Sequence, residues 1–228
     1  MVTLLMKNNK SYQFKDNKGL FVTFEGGEGS GKSTQIEFLK KHLLNNDCNV
    51  ISTREPGGTP EGEVLRKTLV SGDSNSWDPL SEALIFNGLR RQHINKIISP
   101  SLIDGNIVLC DRFIDSTFVY QGFAGSINQS LLIELHKKFC YNLYPDLTFF
   151  FDLDPKLGLQ RTKKRSINIK EDRFEKFGID YHHKILKGYH QLTHNYKDRF
   201  VKIDGSQSIE KISKDIIFYL NIKLNQNA

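Results

Sequence analysis

Gly26-Gly27-Glu28-Gly29-Ser30-Gly31-Lys32-Ser33-Thr34 follows, one residue on, the run Leu20-Phe21-Val22-Thr23-Phe24, with Glu25 between them. The run is β-branched and aromatic, which predicts a short buried strand. The segment Thr34 to Asn45 carries Ile36, Leu39, Leu43 and Leu44 at helical spacing, so the glycine-rich stretch sits between a strand and a helix. That is the setting in which G-x-x-x-x-G-K-[ST] cradles phosphate. Glycines allow successive backbone N–H groups to converge on phosphate oxygens, and the helix N-terminus adds its positive dipole end. Gly26, Gly27, Glu28, Gly29, Ser30, Gly31, Lys32, Ser33 and Thr34 are therefore the predicted triphosphate site. Lys32 is expected to bridge the β- and γ-phosphates, and the Ser33 hydroxyl to ligate Mg²⁺.

Outward from this loop, similar apolar runs lie at residues 50–53, 107–110, 147–151 and 200–203. Near-continuous apolar strands suit a parallel sheet covered on both faces. Helical patterns separate them at Leu80 to Ile98, Ser130 to Phe139 and Ser208 to Leu220, the last opened by a capping serine. The alternation predicts one doubly wound α/β domain over residues 19–228. Residues 1–18 are rich in Lys and Asn without periodicity and read as a loose extension.

Composition narrows the class. The chain has 228 residues, with 32 Lys plus Arg against 26 Asp plus Glu, for a net charge of +6. At 38% hydrophobic and 25% charged residues it is neither disordered nor collagen-like. No apolar run approaches the ~18 residues of a membrane-spanning helix, and the start lacks a signal-type apolar core. Cys48, Cys110 and Cys140 form no C-x-x-C, so reduced thiols in a cytoplasmic protein are expected. The excess charge is local. Residues 1–18 carry +3, residues 156–176 carry +5, and the remainder sums to −2.

GTPase signatures are missing: the D-x-x-G at Asp16–Gly19 precedes the loop, and N-K-x-D does not occur. Cys110-Asp111-Arg112 ends the third predicted strand, where Asp111 is suited to Mg²⁺ or its waters and Arg112 to an anion in the same crevice. Alone, such an Asp-Arg pair also reads as a structural ion pair.

Taken together, several motifs resemble those of the thymidylate kinase family over nearly all of residues 19–220. They are Phe24 through Thr34, Thr53-Arg54-Glu55-Pro56-Gly57-Gly58-Thr59, Phe86 with Arg90, Asp111-Arg112, and Ser116-Thr117. Tyr120-Gln121-Gly122, Pro145-Asp146-Leu147 and Asp172-Arg173-Phe174-Glu175 complete the set. The resemblance implies the P-loop nucleoside monophosphate kinase fold, a five-stranded parallel sheet flanked by helices on both faces. It also implies phosphorylation of dTMP by ATP with Mg²⁺, and a homodimer using the helices around residues 80–98 and 130–140.

By resemblance, Phe86 stacks on the base, although a core aromatic is the plainer reading. Arg90, one helical turn on, reaches base or monophosphate. Arg112 and Ser116 belong to the acceptor side, Thr117 and Gln121 to the base edge, and Tyr120 lies under the sugar. Glu28 approaches the 3′-hydroxyl and metal waters. Arg54 has two readings, substrate contact or orientation of its loop by pairing with an acid. The resemblance implies an extra catalytic cation carried either in the phosphate loop or in a lid. No loop position from Gly27 to Ser30 is basic, so the resemblance points to a lid at about 156–176. Arg165 is the candidate for the transferring phosphoryl and Arg161 for stacking on adenine. Lys156, Lys163 and Lys170 read equally well as a solvated face.

Two other readings stand beside this one. A kinase for another monophosphate, such as dUMP, dGMP or AMP, shares the same machinery. A basic nucleic-acid-binding protein would need aromatics among its cations, and residues 156–173 hold none. His182, His183, His190 and His194 are read as structural or surface residues.

Overall fold

The computed structural model describes residues 19–165 and 171–227, the side chains at 164, 165 and 227 excepted. Five parallel strands form one sheet: β1 (Leu20–Gly26), β2 (Val50–Arg54), β3 (Ile107–Asp111), β4 (Leu147–Asp152) and β5 (Phe200–Asp204), in the order β2-β3-β1-β4-β5. β1 pairs with β3 on one side and β4 on the other. The chain changes direction of winding there, so a crevice opens at the carboxyl end of β1.

Alternation along each strand supplies two cores. Phe21, Val108, Cys110 and Phe150 face one layer, while Val22, Phe24, Leu109, Phe149 and Phe151 face the other. The second layer is closed by α1 (Lys32–Leu44), through Ile36, Leu39 and Leu43, and by the C-terminal helix Ile209–Asn227, through Ile212, Ile216 and Leu220. Coverage of both faces explains why these strands read as nearly unbroken apolar runs.

Other helices follow local signals. α2 (Pro60–Leu69) starts with Pro60 after Thr59, whose hydroxyl accepts from Gly62 N–H. α3 (Pro79–His93) starts after Asp78, whose carboxylate accepts from the N–H groups of Leu80 and Ser81. The long helix expected over 80–98 is not uniform. After His93 the chain makes a π-helical turn, Ile94–Ile98, and then the short α4 (Ser99–Ile103). Pro100 has no N–H to give to the previous turn, and the wider turn still buries Ile94, Ile98 and Leu102 in one core. A second short helix and π turn join as α5 (Ile114–Thr117) and Phe118–Ala124. α6 (Gln129–Phe139), α7 (Pro155–Arg165), α8 (Ile179–Asn195) and α9 (Ile209–Asn227) complete the layers. Cys48, Cys110 and Cys140 are free thiols. No described helix is long and apolar enough to cross a membrane.

Phe149 is fully buried on β4 and packs 5.5 Å, ring to ring, from Phe24 on β1. Phe149→Ala should lower unfolding free energy by about 3–5 kcal/mol. Urea denaturation should show an earlier midpoint with the slope unchanged.

Candidate active site

The loop after β1 needs backbone conformations that side chains resist. Gly26, Gly29 and Gly31 have φ of 142°, 66° and 98°. Gly31 caps α1, so Lys32 and Ser33 fall in its first turn. Lys32 is buried and curls back, its Nζ donating to the carbonyls of Gly26 (3.2 Å) and Gly27 (2.9 Å) and to Ser30 Oγ (3.3 Å). Burial, and then the Arg112 guanidinium, bring its pKa down to about 8. A side chain on Gly29 would collide with the Gly158 carbonyl, and one on Gly158 with the Glu28 carbonyl. α7 thus lies directly against the loop.

At the end of β3, Ser33 Oγ donates to Asp111 Oδ2 at 2.8 Å, so the two predicted metal-binding groups are together. The next residue, Arg112, has a left-handed φ of 67°, unusual for a residue with a β-carbon. Its guanidinium donates to Glu28 Oε1 (3.1 Å) and Ser116 Oγ (3.2 Å), and lies over the Tyr120 ring at 5.0 Å. Tyr120 also donates to Glu28 Oε1, at 2.7 Å. His182 Nδ1 stands 3.5 Å from Glu28 Oε2. Burial would raise the Glu28 pKa, but the His182 ring, Arg112, Lys32 and the Tyr120 hydroxyl outweigh it and hold the carboxyl at about 2.

Beneath Arg112 lies Glu25, a carboxylate inside the central strand. It accepts from Phe113 N–H (2.8 Å), Ser116 Oγ (2.6 Å) and the Tyr189 hydroxyl (2.8 Å). Burial, and then Asp115, push its pKa up to about 7.

The opposite wall is built by α3. Arg90 is buried, its Nε donating to Glu55 Oε2 (2.7 Å) and its Nη2 to Thr117 Oγ1 (2.9 Å). Its Nη1 is buried without a hydrogen-bond partner among the described residues. His93 bridges Glu55 (3.1 Å) and Thr53 (2.7 Å). Phe86 and Gln121 line the same cleft as Lys32, Asp111 and Arg112, with a volume of about 590 Å³, well within the range of small-molecule sites. Arg54 pairs with Glu63, Nη2 to Oε2 at 2.6 Å, and Glu63 also accepts from Gly58 N–H. Arg54 thus makes an acid pair on its loop and also lines the cleft.

In the segment expected to be a lid, Arg161 Nη1 donates to the Gly205 carbonyl at 3.0 Å, a contact with the turn after β5. The Arg165 side chain and residues 166–170 lie outside the described part. Arg173 is fully buried. Its guanidinium donates to the carbonyls of Leu69 (2.7 Å) and Ser74 (3.2 Å) and pairs with Glu82. Arg66 Nη2 holds Glu171 at 3.0 Å.

The family described as thymidylate kinase matches residues 24–216. The chain belongs to the thymidylate kinase family. It is 40% identical over 202 residues to thymidylate kinase of Pelobacter propionicus, covering 87% of this chain and 92% of that one. To thymidylate kinase of Halalkalibacterium halodurans it is 36% identical over 208 residues, covering 91% and 99%. The crystal structure of thymidylate kinase from Ehrlichia chaffeensis superposes with a TM-score of 0.72 at 33% identity, covering 89% of this chain and 98% of that one. The fold is that of the P-loop nucleoside monophosphate kinases, five parallel strands between helical layers.

Within this thymidylate kinase fold, sequence reasoning found the loop, Asp111, Arg112 and the α3 wall. Glu25, Glu55 and Arg173 stood inside the motifs without a role, His182 was read as structural or surface, and Glu82, His93 and Tyr189 were not singled out. Yet all seven form a second ring of buried polar groups. Glu25 carried a signal, a carboxylate between two apolar strand positions. His93 and Glu82 carried none beyond their places on α3.

The contact of α7 with the loop gives a paired test. Replacing an exposed helical glycine by alanine ordinarily stabilises by up to ~1 kcal/mol. Gly88→Ala on α3, where an added carbon meets nothing within 4 Å, should raise the melting temperature. Gly158→Ala, despite the same propensity gain, should lower it, because the new carbon strikes the Glu28 carbonyl.

Proposed function

We propose that this chain transfers the γ-phosphoryl of ATP to dTMP, giving ADP and dTDP. The observation that carries the reading is one cleft lined by Lys32, Asp111 and Arg112 together with Phe86 and Arg90. Two polyanions must approach, and cations at both ends of the transfer line offset their repulsion. Family membership narrows the acceptor to the thymidine monophosphate.

In this reading the residues from Gly26 to Thr34 hold the triphosphate, and Lys32 leaves its loop carbonyls for β- and γ-oxygens. Arg112 grips the acceptor phosphate. That phosphate is already ionised near neutral pH, so no general base is required. Glu28, held ionised with its pKa at about 2, is poorly suited to move a proton at neutral pH. It serves instead as an acceptor that fixes Arg112 and the Tyr120 hydroxyl. Phe86 stacks on the base, Arg90 and Thr117 reach its edge or the phosphate, and Ser116 steadies Arg112.

A hydroxyl and a carboxylate within 2.8 Å of each other are hard oxygen donors of the kind Mg²⁺ takes beside substrate phosphates. Ser33 and Asp111 would hold it, and it would neutralise charge on the phosphates. We read residues 19–228 as a single kinase domain, with a lid at about 156–176 in which Arg165 supplies the further cation. Arg173 is buried as an anchor and adds nothing to that supply. We also read a homodimer through α3 and α6, whose Leu84 and Phe139 are exposed.

Lys32→Ala and Arg112→Ala should each lower kcat by about 10²–10³, equivalent to ~3–4 kcal/mol, with an unaltered circular dichroism spectrum. Full turnover in either folded variant would refute the assignment. A panel of monophosphates in an ADP-release assay tests the acceptor, with dTMP expected to stimulate most.

Lys32 also predicts a proton linkage. With a pKa of about 8 in the free protein, it is half deprotonated at pH 8 and protonated at pH 6. Bound triphosphate favours the charged form. Titration calorimetry in buffers of different ionisation enthalpy should therefore show proton uptake on ATP binding at pH 8 and little at pH 6. The uptake should vanish in Lys32→Ala.

A further inference from the structure

Gln121 lies in the π-helical turn Phe118–Ala124, is 1% exposed, and lines the cleft. Its side-chain amide has two faces of opposite chemistry, an oxygen that accepts and an NH₂ that donates. Which face meets the cleft depends on what holds the other. Gln121 Nε2 donates to Glu82 Oε2 at 2.8 Å. A carboxylate paired with a guanidinium accepts only, so Glu82 takes the NH₂ and leaves Oε1 of Gln121 as the free face. No described residue donates to that oxygen.

Glu82 is itself pinned. Its other oxygen is paired with Arg173, whose remaining nitrogens are taken by the carbonyls of Leu69 and Ser74. Glu82, Arg173 and Leu69 are buried and do not line the cleft, so the amide is set by the protein before any ligand arrives.

We propose that Glu82, held by Arg173, is a positioning residue that orients Gln121 so that its amide oxygen reads the base. The inference rests on the dTMP reading of the cleft. Thymine carries a donor at N3 and an oxygen at C4, whereas cytosine carries an acceptor at N3 and an amine at C4. An amide oxygen in the same cleft as the buried, unpartnered Nη1 of Arg90 matches the thymine pattern and opposes the cytosine one. Arg173 lies near the carboxyl end of the segment read as a lid, so base recognition and that end of the segment share one buried carboxylate.

Glu82→Gln reverses the logic with one atom. The new amide has a single oxygen, which Arg173 requires. Its NH₂ then faces Gln121, which must turn its own oxygen to it and present Nε2 to the base. The readout is the ratio of kcat/KM for dTMP to that for dCMP, which is independent of the fraction of active protein. The ratio should fall about tenfold or more, through lost dTMP use and gained dCMP use. The double variant E82Q/Q121E returns an oxygen to the base and should restore the preference.

An unchanged ratio in Glu82→Gln, with both acceptors equally impaired, would mean that Glu82 is merely structural and overturns the proposal, as would failure of the double variant to restore it. If Glu82→Gln does not fold, Gln121→Met, which leaves the Glu82–Arg173 pair intact, carries the test. A similar fall supports the proposal and an unchanged ratio defeats it. A wild-type enzyme that does not favour dTMP over other acceptors defeats the functional reading itself, an outcome seen before any variant is made.

Discussion

Lys32, buried, and Arg112, half-buried, are two cations in one cleft, and each disfavours the charge of the other. Without a bound anion, this repulsion and the loss of solvent are offset by carboxylates arranged around them. Asp111 favours the charge of both cations, Glu28 takes Arg112 directly, and Glu25 accepts from Phe113 N–H and Ser116 nearby. Arg112 remains firmly charged because five donors and a compact acid cluster suit a guanidinium. Lys32, with a point charge on a flexible stem, is the partner whose proton is loosened. The arrangement stores an electrostatic preference for phosphate in groups that hold one another in position beforehand.

That cluster exists because three strands end together. β1 delivers Glu25 and the glycine loop, β3 delivers Asp111 and Arg112, and β2 leads into Glu55. In a parallel sheet the carboxyl ends share one edge, so residues dozens of positions apart converge without long loops. The left-handed backbone at Arg112 turns the guanidinium back over the sheet edge toward Glu28. Here the strain has a visible return, since the same turn lets Phe113 N–H close on Glu25.

Charge counted along the chain and charge placed in space differ most in residues 156–176. Arg173 contributes to the +5 of that segment, yet it is sealed among carbonyls and Glu82. Arg161 bonds a backbone carbonyl after β5. Arg173, with each of its three nitrogens bonded inside the protein, is an anchor, and a sum of charges does not separate anchors from reactive cations.

The pattern of apolar runs and the glycine-lysine-serine loop by themselves determined the sheet, its two covered faces and the phosphate-binding end. These are local properties: short near-continuous apolar runs for strands buried on both faces, a period near 3.6 along a helix, and glycines where φ must be positive. The motifs also identified Arg112, Phe86, Arg90 and Gln121 as neighbours of one site. The conversion of one predicted long helix into α3, a π turn and α4 was hidden, because it depends on which side chains the sheet can bury. So was the ring of Glu25, Glu55, Glu82, His93 and Arg173. Each of these looks like an ordinary polar residue on its own element, and becomes a constraint only when two elements bring an acceptor within about 3 Å of a donor and exclude water. Hydrogen-bond partners across the fold carry no periodic trace in the chain, so the tertiary structure alone decided how the site is held.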